Sequence, residues 1–359
     1  MDTWAFYTQE RELHSGLPDW LNHWKGDGII ARIENRKVAN KLLRIGCPVV
    51  DVLGNQPFPS IPGLDTDAKL VARMAADFFL KSGFRHFAFC GFQGLPFSDR
   101  RRVAFVEYLQ TRNVSVHTFD SPTVSYQPTH IQAVEQRGVS YEAMMARWLK
   151  KMPQPLALFA CNDICAQQVL NACREHQIRV PEEVAVIGVD NDKVLCSLCD
   201  PPLTSIQPDA SQLGYRAATM LEQMMRGCAV ADIITNLPPV GVVERASTDV
   251  AAVKDSVLAG ALRFIRDHFQ SGIAVKDVLT HVSSSRTSLE RRFRQEIKCN
   301  IRDEIQRRRM NYALNLLRET NLRLEEIVQR TGYSTPSHFC RIFQKRFRES
   351  PTDYRLRLK

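Results

Sequence analysis

A duplicated apolar pattern near the C-terminus constrains the fold of this chain more than any other part of its sequence. Between residues 325 and 354, apolar residues recur at helical spacing around the segment GYSTP at 332–336. Glycine permits a sharp turn and proline suits the first position of a helix, so the pattern predicts two short helices joined by a tight turn. The same spacing returns fifty residues earlier, at 274–297, around a turn of three serines. An internal repeat of this kind is far more specific than a single helix-turn-helix match.

The residues between the two copies, 301–320, contain no glycine or proline and many helix formers, which predicts one long connecting helix. The second helix of each copy exposes polar side chains that reach base edges and phosphates. These are Arg286, Thr287, Ser288 and Arg291 in the first copy, and Thr335, Ser337, His338 and Arg341 in the second. Three consecutive arginines at 307–309 of the connecting helix are candidate phosphate contacts. Helical spacing puts them on different faces, so we expect at most one or two to touch DNA.

Basic charge is concentrated in the same part of the chain. Residues 257–359 carry 22 Lys and Arg and 11 Asp and Glu, a net charge of +11, whereas the whole chain has a net charge of +9. The rest of the chain is therefore close to neutral. A solvated basic face is the alternative interpretation, but the basic residues lie on the predicted repeat, and this favours binding to nucleic acid.

The duplicated unit, the arginine-rich connecting helix and the closing run GYSTPSHFCRIFQKRFRESPTDYR together resemble the AraC-type DNA-binding domain over residues 257–359. The resemblance implies an all-α domain with two helix-turn-helix units in one chain. It also implies double-stranded operator DNA as the partner. The two units are expected to enter successive major-groove segments on one face of the duplex, roughly 34 Å apart.

The first two-thirds of the chain, residues 1–245, alternate short apolar strands with amphipathic helices. This alternation predicts an α/β fold with parallel sheets covered on both faces, and the length favours two lobes over one sheet. Strands are expected at 5–9, 28–31, 48–52, 86–90, 116–119, 156–161 and 184–189, with one or two more in 232–243. Helices are expected at 18–24, 35–45, 67–81, 102–112, 142–151, 163–176 and 211–226, an irregular segment at 122–139 and an interdomain linker at 246–256.

Polar side chains follow three of the predicted strands. Asn162 and Asp163 come after one strand, Asp190 after the next, and the arginines at 100–102 after the strand at 86–90. The carboxyl ends of parallel strands form the ligand crevice of such sheets. Carboxylates, amides and guanidinium groups match sugar hydroxyls, which both donate and accept hydrogen bonds. Asn162 and Asp163 serve equally well as helix caps, whereas no helix pattern follows Asp190 directly. One of the three arginines is expected to point into the crevice.

Three segments, GLDTDAKLVARMAADFFLKSGFRHFAFCG, ALFACNDICAQQVL and VPEEVAVIGVDNDKVLCSLCDPPLTSI, are similar to the sugar-responsive domain of LacI/GalR-type repressors. That resemblance spans 27–245 and implies two lobes of the periplasmic-binding-protein type, which close around a ligand. Combined with an AraC-type domain, it is typical of the family of xylose operon regulatory proteins. The family implies a transcriptional regulator whose DNA affinity is controlled by a small monosaccharide effector, D-xylose or a related sugar.

The same resemblance places Arg102, Asn162 and Asp190 at effector-contacting positions. Asp163 is a further candidate, and Arg101 is an alternative to Arg102 because the alignment can slip by one residue. The helix that starts at Asp67 falls where LacI-type repressors pair their subunits, which implies a homodimer. The family's first lobe begins with a strand and a helix that precede the first residue of this sequence. Either the natural start lies upstream, which we expect, or the ligand affinity and the stability of this chain are compromised.

Other features bear on compartment and chemistry. Ten cysteines are scattered without the spacing of a disulfide framework, which is typical of a reducing cytoplasm. Cys196 and Cys199 have no second pair or histidine cluster at zinc spacing. No dinucleotide, phosphate-loop or hydrolase motif is present, and no apolar stretch is long enough for a membrane span. We expect a cytoplasmic regulator without cofactor, metal or catalysis. The alternative, a transport-type sugar-binding protein, would need a signal peptide and no basic repeat.

Overall fold

The computed structural model describes residues 21, 23, 25–54, 56–119, 141–231, 233–249, 255–297 and 299–357. The strand expected at 5–9, most of the helix expected at 18–24 and the whole irregular segment expected at 122–139 lie outside these residues.

Strands and helices alternate through the first two-thirds of the described chain. The strands are β1 (Ile29–Ala31), β2 (Val49–Asp51), β3 (Gly63–Thr66), β4 (His86–Cys90), β5 (Val116–Phe119), β6 (Leu156–Ala160), β7 (Val184–Val189), β8 (Thr204–Gln207), β9 (Ile234–Leu237) and β10 (Gly241–Val243). The helices are α1 (Arg36–Leu43), α2 (Ala68–Lys81), α3 (Pro96–Gln110), α4 (Glu142–Leu149), α5 (Asp163–Glu175), α6 (Lys193–Leu198) and α7 (Ala210–Met225).

The first lobe is built on a parallel sheet in the spatial order β1-β2-β3-β9. Successive residues of a strand point to opposite faces, so Val49 packs with α1 and Val50 packs with α7. Asn35 caps α1 as expected, because its side chain accepts the Val38 N–H. Strand β3 falls in a segment where no strand was predicted, since GLDT has only one strongly apolar residue.

The second lobe contains the larger sheet, in the order β10-β8-β7-β6-β4-β5, with only β10 antiparallel to its neighbour. Every residue of β6 and β7 is buried, as expected for parallel strands covered on both faces. The main core of the molecule lies here and contains a group of fully buried phenylalanines, among them Phe87, Phe105 and Phe159.

Within the described residues, three connections join the lobes: from β3 to α2, from β8 to α7 and from β9 to β10. They lie side by side. The Asp67 N–H donates to the Leu237 carbonyl at 2.8 Å, and the Val240 N–H donates to the Gln207 carbonyl at 2.8 Å. Adjacent crossing segments form a natural hinge between two rigid lobes. The two-lobed α/β fold predicted from the sequence is confirmed.

The first residues of the expected linker, 246–256, pack against the second lobe. A 3₁₀ turn at Ala246–Thr248 is buried there. The Ser247 hydroxyl accepts the Thr204 N–H at 2.8 Å and donates to the Val186 carbonyl at 2.6 Å. This polar anchor holds the chain to the sheet as it leaves for the C-terminal domain.

The C-terminal part is all α-helical. It contains α8 (Ser256–His268), α9 (Val275–His281), α10 (Arg286–Arg292), α11 (Ile301–Glu319), α12 (Leu324–Arg330), α13 (Pro336–Phe347) and α14 (Pro351–Arg357). Helices α9 and α10 form the first helix-turn-helix unit, and α12 and α13 form the second. Each unit has its own hydrophobic core, and the single helix α11 supplies residues to both. The predicted duplication and its long connecting helix are therefore confirmed.

Candidate effector cleft and DNA-binding surface

Arg101 occupies the carboxyl ends of the central strands of the second lobe. It lies on α3 and is only 7% exposed. Its guanidinium donates to the carbonyl of Cys161, directly after β6, and reaches within 4.0 Å of the Asp190 carboxylate, directly after β7. The Phe97 ring lies 5.5 Å from the guanidinium carbon, a distance typical of a cation–π contact. Arg101 is thus held in place on two sides, with Asp190 in front of it.

Arg102 points elsewhere. Its side chain is 44% exposed and pairs with Asp99 on the same helix at 3.7 Å. Both arginines lie inside α3, because this helix begins at Pro96, six residues before the start expected at residue 102. Successive helical residues are rotated by about 100°, so Arg101 and Arg102 face different surroundings. The structure brings Arg101 to the cleft and leaves Arg102 outside it.

A charged pair joins the two lobes beside Arg101. The Arg100 guanidinium on α3 lies 2.7 Å from the Asp65 carboxylate on β3 of the first lobe. Burial raises the pKa of Asp65, and the positive charge of Arg100 opposes that shift. Asp65 was not predicted from the sequence because β3 was not recognised as a strand. The signal that was available is the run Asp65-Thr66-Asp67 just before an amphipathic helix.

Asp190 has a strained backbone at the strand exit. Its φ is +112° and that of Asn191 is +49°, a region that side chains other than glycine rarely adopt and that is often found at binding sites. About half of the Asp190 side chain is accessible to solvent, because this side chain faces the open cleft. Partial desolvation raises its pKa, while the charges of Arg101 and Arg32 oppose the shift. Arg32 follows β1, so both lobes act on this carboxylate.

Asn162 and Asp163 serve the fold of the second lobe. Asn162 caps α5, since its side chain accepts the Cys165 N–H at 2.9 Å. Asp163 is 2% exposed and accepts hydrogen bonds from the Ser205 hydroxyl at 2.6 Å and the Asp192 N–H at 2.9 Å. Burial raises the pKa of Asp163 to about 7. Asp163 therefore lies beneath the cleft and ties β8 to the loop after β7.

No helix follows Asp190 directly, but one begins three residues later. The short helix α6 starts at Lys193, and the Asp192 side chain caps it by accepting the N–H groups of Val194 and Leu195 at 3.0 Å each. Asp192 is therefore a structural residue, and Asp190 remains the carboxylate that faces Arg101.

The predicted DNA-contacting residues lie on the second helix of each unit, between its cap or first residue and its sixth residue. In the first unit, Arg286, Thr287 and Arg291 are exposed and Ser288 is half-buried; in the second, Thr335, Ser337 and Arg341 are exposed and His338 is half-buried. Ser285 and Thr335 cap their helices by accepting the N–H groups of Ser288 and His338. The arginines Arg286, Arg291 and Arg341 are the long cationic side chains on these two faces, and they suit guanine or phosphate.

None of the three arginines at 307–309 is a free phosphate clamp. Arg307 and Arg308 both donate to the buried Glu304, at 2.8 Å and 2.7 Å. Arg308 also pairs with Asp249. Arg309 is buried and donates to two backbone carbonyls of the segment between α8 and α9. The connecting helix uses its arginines to hold the domain together.

Comparison with protein families separates the chain into the same two parts. Residues 76–248 match the periplasmic binding protein-like domain, and residues 278–357 match a helix-turn-helix domain. The xylose operon regulatory protein of Haemophilus influenzae is 29% identical over 360 residues, covering 98% of this chain and 90% of the relative. The xylose operon regulatory protein of Escherichia coli K12 is 31% identical over 342 residues, covering 94% of this chain and 86% of the relative.

The chain belongs to the family of xylose operon regulatory proteins.

A solved structure of a xylose-binding transcription activator of this family superposes with a TM-score of 0.64 at 29% identity, covering 92% of this chain and 87% of the other. A LacI-type regulator from a Rhodococcus species matches at 21% identity with a TM-score of 0.52 and 65% of this chain, which supports the fold alone. As a member of the xylose operon regulatory family, the chain is a transcriptional regulator and not an enzyme.

Among the described residues, no group of three or more His, Cys, Asp and Glu side chains is arranged to hold a metal ion. No helix of the described part of the chain has the length and hydropathy needed to cross a membrane.

Proposed function

We propose that a small monosaccharide, with D-xylose as the first candidate, binds in the cleft between the lobes and thereby controls the affinity of this regulator for operator DNA. The observation that supports this most is the set of charged groups from both lobes at one place. Asp65 comes from the first lobe, and Arg100, Arg101 and Asp190 come from the second. Carboxylate and guanidinium groups together match the paired donor and acceptor character of sugar hydroxyls.

The cleft also explains how the sugar would act. A ligand held between Asp65 and Asp190 stabilises the arrangement in which the lobes are close, because only that arrangement offers both carboxylates at once. Arg101, fixed by Cys161 and Phe97, is a rigid donor on the second lobe. Asn162 contributes by fixing the start of α5 beside the cleft. Arg102 has no part in this proposal.

Closure reaches the DNA-binding domain through direct contacts with the second lobe. Glu182, just before β7, lies 2.9 Å from Arg266 and 3.4 Å from Arg263 on α8. On another side, the Glu244 side chain accepts from Asn311 at 3.2 Å, and its carbonyl accepts from Asn315 at 2.9 Å. The domain that contains both helix-turn-helix units is thus attached to the second lobe, so a movement of this lobe on closure is transmitted to the DNA-binding domain.

The DNA would be contacted by the exposed residues at the start of α10 and α13. We assign base readout to Arg286 and Arg341 first, since arginine to guanine is the commonest specific contact. Thr287, Ser288, Arg291, Thr335 and Ser337 then provide the surrounding polar contacts. His338 is only partly exposed, so its contribution to DNA contact is smaller than the sequence suggested.

A sugar panel tests the proposal. The thermal midpoint of the full chain is measured with pentoses and hexoses, and DNA affinity is measured for the sugars that raise it. A ligand that binds the folded state raises the midpoint in proportion to ln(1 + [L]/Kd). We expect one pentose to raise the thermal midpoint more than the other sugars do and to change DNA affinity by about 5- to 150-fold. DNA affinity that is indifferent to every sugar would rule the proposal out.

We also infer that the regulator acts in the cytoplasm as a homodimer paired through α2. Leu70 on the outer side of α2 is 39% exposed, unlike the buried residues Val71 and Ala75 on its inner side. Light scattering of the full chain and of Leu70→Asp tests this. A wild-type monomer, or a dimer unchanged by the substitution, contradicts the pairing surface.

A further inference from the structure

A polar cavity of about 370 Å³ lies between the second helix-turn-helix unit, the connecting helix and the segment that leads into the first unit. Gln270, Ser271 and Ser334 are exposed at its mouth, and Arg309 and Tyr333 form its buried wall. The segment that joins α8 to α9 meets the second unit here. A Cβ added to Gly332 in the second unit would lie 2.5 Å from the Phe269 carbonyl of that segment. Anything bound in the cavity therefore contacts the second unit, the connecting helix and the segment that leads into the first unit.

Arg309 is a buried cation without a counter-ion. It is 8% exposed. Its guanidinium donates to the carbonyls of Phe269 and Ile273 at 3.1 Å and 2.9 Å. Within the described part of the chain, no carboxylate forms an ion pair with it, and the residues that line the cavity include no Asp or Glu. Burial of the charge lowers the pKa of Arg309. An isolated buried charge is costly, so an anion beside it would be strongly stabilised.

Two further polar atoms in the wall have no partner. Tyr333 is 6% exposed, and its hydroxyl makes no hydrogen bond. The Nδ1 atom of His338 is buried and likewise unpaired. The two rings lie 6.0 Å apart, edge to face. Burial raises the pKa of Tyr333 to about 12, so its hydroxyl stays protonated and can donate. Buried polar atoms without partners are rare in folded proteins.

We propose that this cavity binds a phosphate group, which accepts a hydrogen bond from the Tyr333 hydroxyl beside Arg309 and links the second helix-turn-helix unit to the connecting helix. Three features of the cavity select an anion with several acceptor oxygens: a cation without a carboxylate, an unpaired donor, and the start of the 12-residue helix α13 with its favourable dipole. The group can be a phosphodiester of bound DNA or a free phosphate, and the chemistry of recognition is the same for both.

The consequence for DNA binding is geometric. The relative position of the two units sets the distance between their recognition helices. That distance must match the spacing of successive major-groove segments. An anion that bridges Arg309 of the connecting helix and Tyr333 of the second unit narrows the range of positions the units adopt. The proposal deepens the proposed DNA-binding function but is independent of the sugar response.

The first experiment uses potassium phosphate as the probe, titrated against potassium chloride at equal ionic strength. The thermal midpoint of the full wild-type chain is compared with that of Tyr333→Phe and Tyr312→Phe. Tyr312 lies on the connecting helix that also carries Arg309, and its ring packs edge-on against Phe269. It does not line the cavity. Phosphate also stabilises proteins in general, and that effect is common to all three.

We expect wild type and Tyr312→Phe to respond alike. Tyr333→Phe should show an apparent phosphate affinity about tenfold weaker or more, as for loss of a hydrogen bond to a charged group. His338→Ala, which removes the other unpaired atom, is a second variant with the same expected direction. An equal response in wild type and in a folded Tyr333→Phe overturns the proposal, and so does the absence of any phosphate response in wild type.

The second experiment identifies the source of the phosphate. Affinity for a duplex long enough to present two major-groove segments is measured at constant ionic strength with and without phosphate. If phosphate weakens duplex binding by wild type more than by Tyr333→Phe, a DNA phosphodiester occupies the cavity. If phosphate stabilises wild type and leaves or strengthens duplex binding, the cavity is a site for free phosphate. A wild-type chain that binds no duplex at all contradicts the proposed function, whatever the phosphate response.

Discussion

At the scale of single residues, three adjacent arginines show how helical rotation assigns different roles to one residue type. Arg100 pairs with Asp65 across the lobes, Arg101 is buried against Asp190, and Arg102 stays at the surface. Their order in the chain does not distinguish them. The start of α3 at Pro96 does, because it sets the direction in which each residue of the helix points.

Arg101 and Arg102 therefore form a matched pair of variants. We expect Arg101→Met to weaken sugar binding by about 1.5–3 kcal/mol, the value typical of a hydrogen bond to a charged group, and Arg102→Met to leave it unchanged. Sugar titration calorimetry on the full chain measures both. The thermal midpoint without sugar checks that Arg101→Met still folds. Weaker binding in Arg102→Met alone would reverse the assignment.

Asp163 makes the stability of the sensor depend on pH. Burial raises its pKa to about 7, whereas an Asp in an unfolded chain titrates near pH ~4. Between these values the folded protein holds a proton that the unfolded chain has released. The free energy of unfolding should therefore fall as pH rises from ~4 to ~7 and level off above, by up to ~1.4 kcal/mol per pH unit for one such group.

Asp163→Asn should flatten this dependence. All four tryptophans precede residue 149, so tryptophan fluorescence follows unfolding of the sensor half. The variant keeps an acceptor for the Ser205 hydroxyl and loses the titration. Asp51, Asp65 and Asp190 also have pKa values raised first by burial, so some slope remains in the variant. A slope identical to that of wild type would show that Asp163 does not cause the pH dependence of the free energy of unfolding.

At the scale of elements, the connecting helix α11 unites the two helix-turn-helix units. Ile301 and Ile305 at its start complete the core of the first unit, and Met310 and Ala313 further along complete that of the second. Two arginines of this helix that were candidates for DNA contact, Arg308 and Arg309, instead form hydrogen bonds within the domain. The turn at Gly332 then brings the second unit against the segment that leads into the first.

Gly332 is a position where the second unit packs too closely against the segment before α9 to tolerate a side chain. Its φ is +73°, and an added Cβ would lie 2.5 Å from a backbone carbonyl that cannot move aside easily. We expect Gly332→Ala to destabilise the DNA-binding domain by at least about 1–3 kcal/mol and to lower DNA affinity, with sugar binding intact. Calorimetric unfolding and duplex binding measure the two effects.

Gly214 on α7 is the matched control. A Cβ there meets nothing within 4 Å, and alanine is favoured over glycine in a helix by up to about 1 kcal/mol. Gly214→Ala should therefore keep or raise stability. If Gly332→Ala keeps or raises stability as Gly214→Ala is expected to, the close approach of Gly332 to the Phe269 carbonyl is contradicted.

At the scale of the whole molecule, acidic residues of the sensor meet basic and polar residues of the DNA-binding domain. Glu182 pairs with Arg263 and Arg266, and Glu244 contacts Asn311 and Asn315. Glu182 is 16% exposed at the side chain and Arg266 is 18% exposed, so solvent screens this pair less than an open surface pair. These contacts attach the output domain to the second lobe.

Glu182→Gln should uncouple the two domains in part. The sugar affinity is expected to stay unchanged, while the ratio of DNA affinities with and without sugar moves towards one. Glu183→Gln is the matched control, because Glu183 pairs with Arg179 inside the sensor at 3.2 Å. Fluorescence anisotropy with labelled duplex measures the ratio. Equal ratios in Glu182→Gln and wild type would show that the coupling runs by another route.

The sequence by itself determined the architecture, because periodicity and duplication are local signals repeated along the chain. The buried strands at 156–160 and 184–189, the amphipathic helix from Asp67 and the two helix-turn-helix units were all predicted close to their observed bounds. Their core residues Leu289, Phe293, Phe339 and Phe343 are fully buried, as expected from spacing. The family resemblance added the roles of the two parts.

Only the tertiary structure decided which polar residues meet. Asp65 and Arg100 are 35 positions apart and pair because two lobes face each other. Asp163 is a buried structural group because β8 brings Ser205 to it. Among the described residues, Arg309 pairs with no carboxylate, because the segment between α8 and α9 places two backbone carbonyls beside it. Hydrophobic periodicity records which face of an element is buried. The partner of a buried charge depends on long-range packing, which no local pattern encodes.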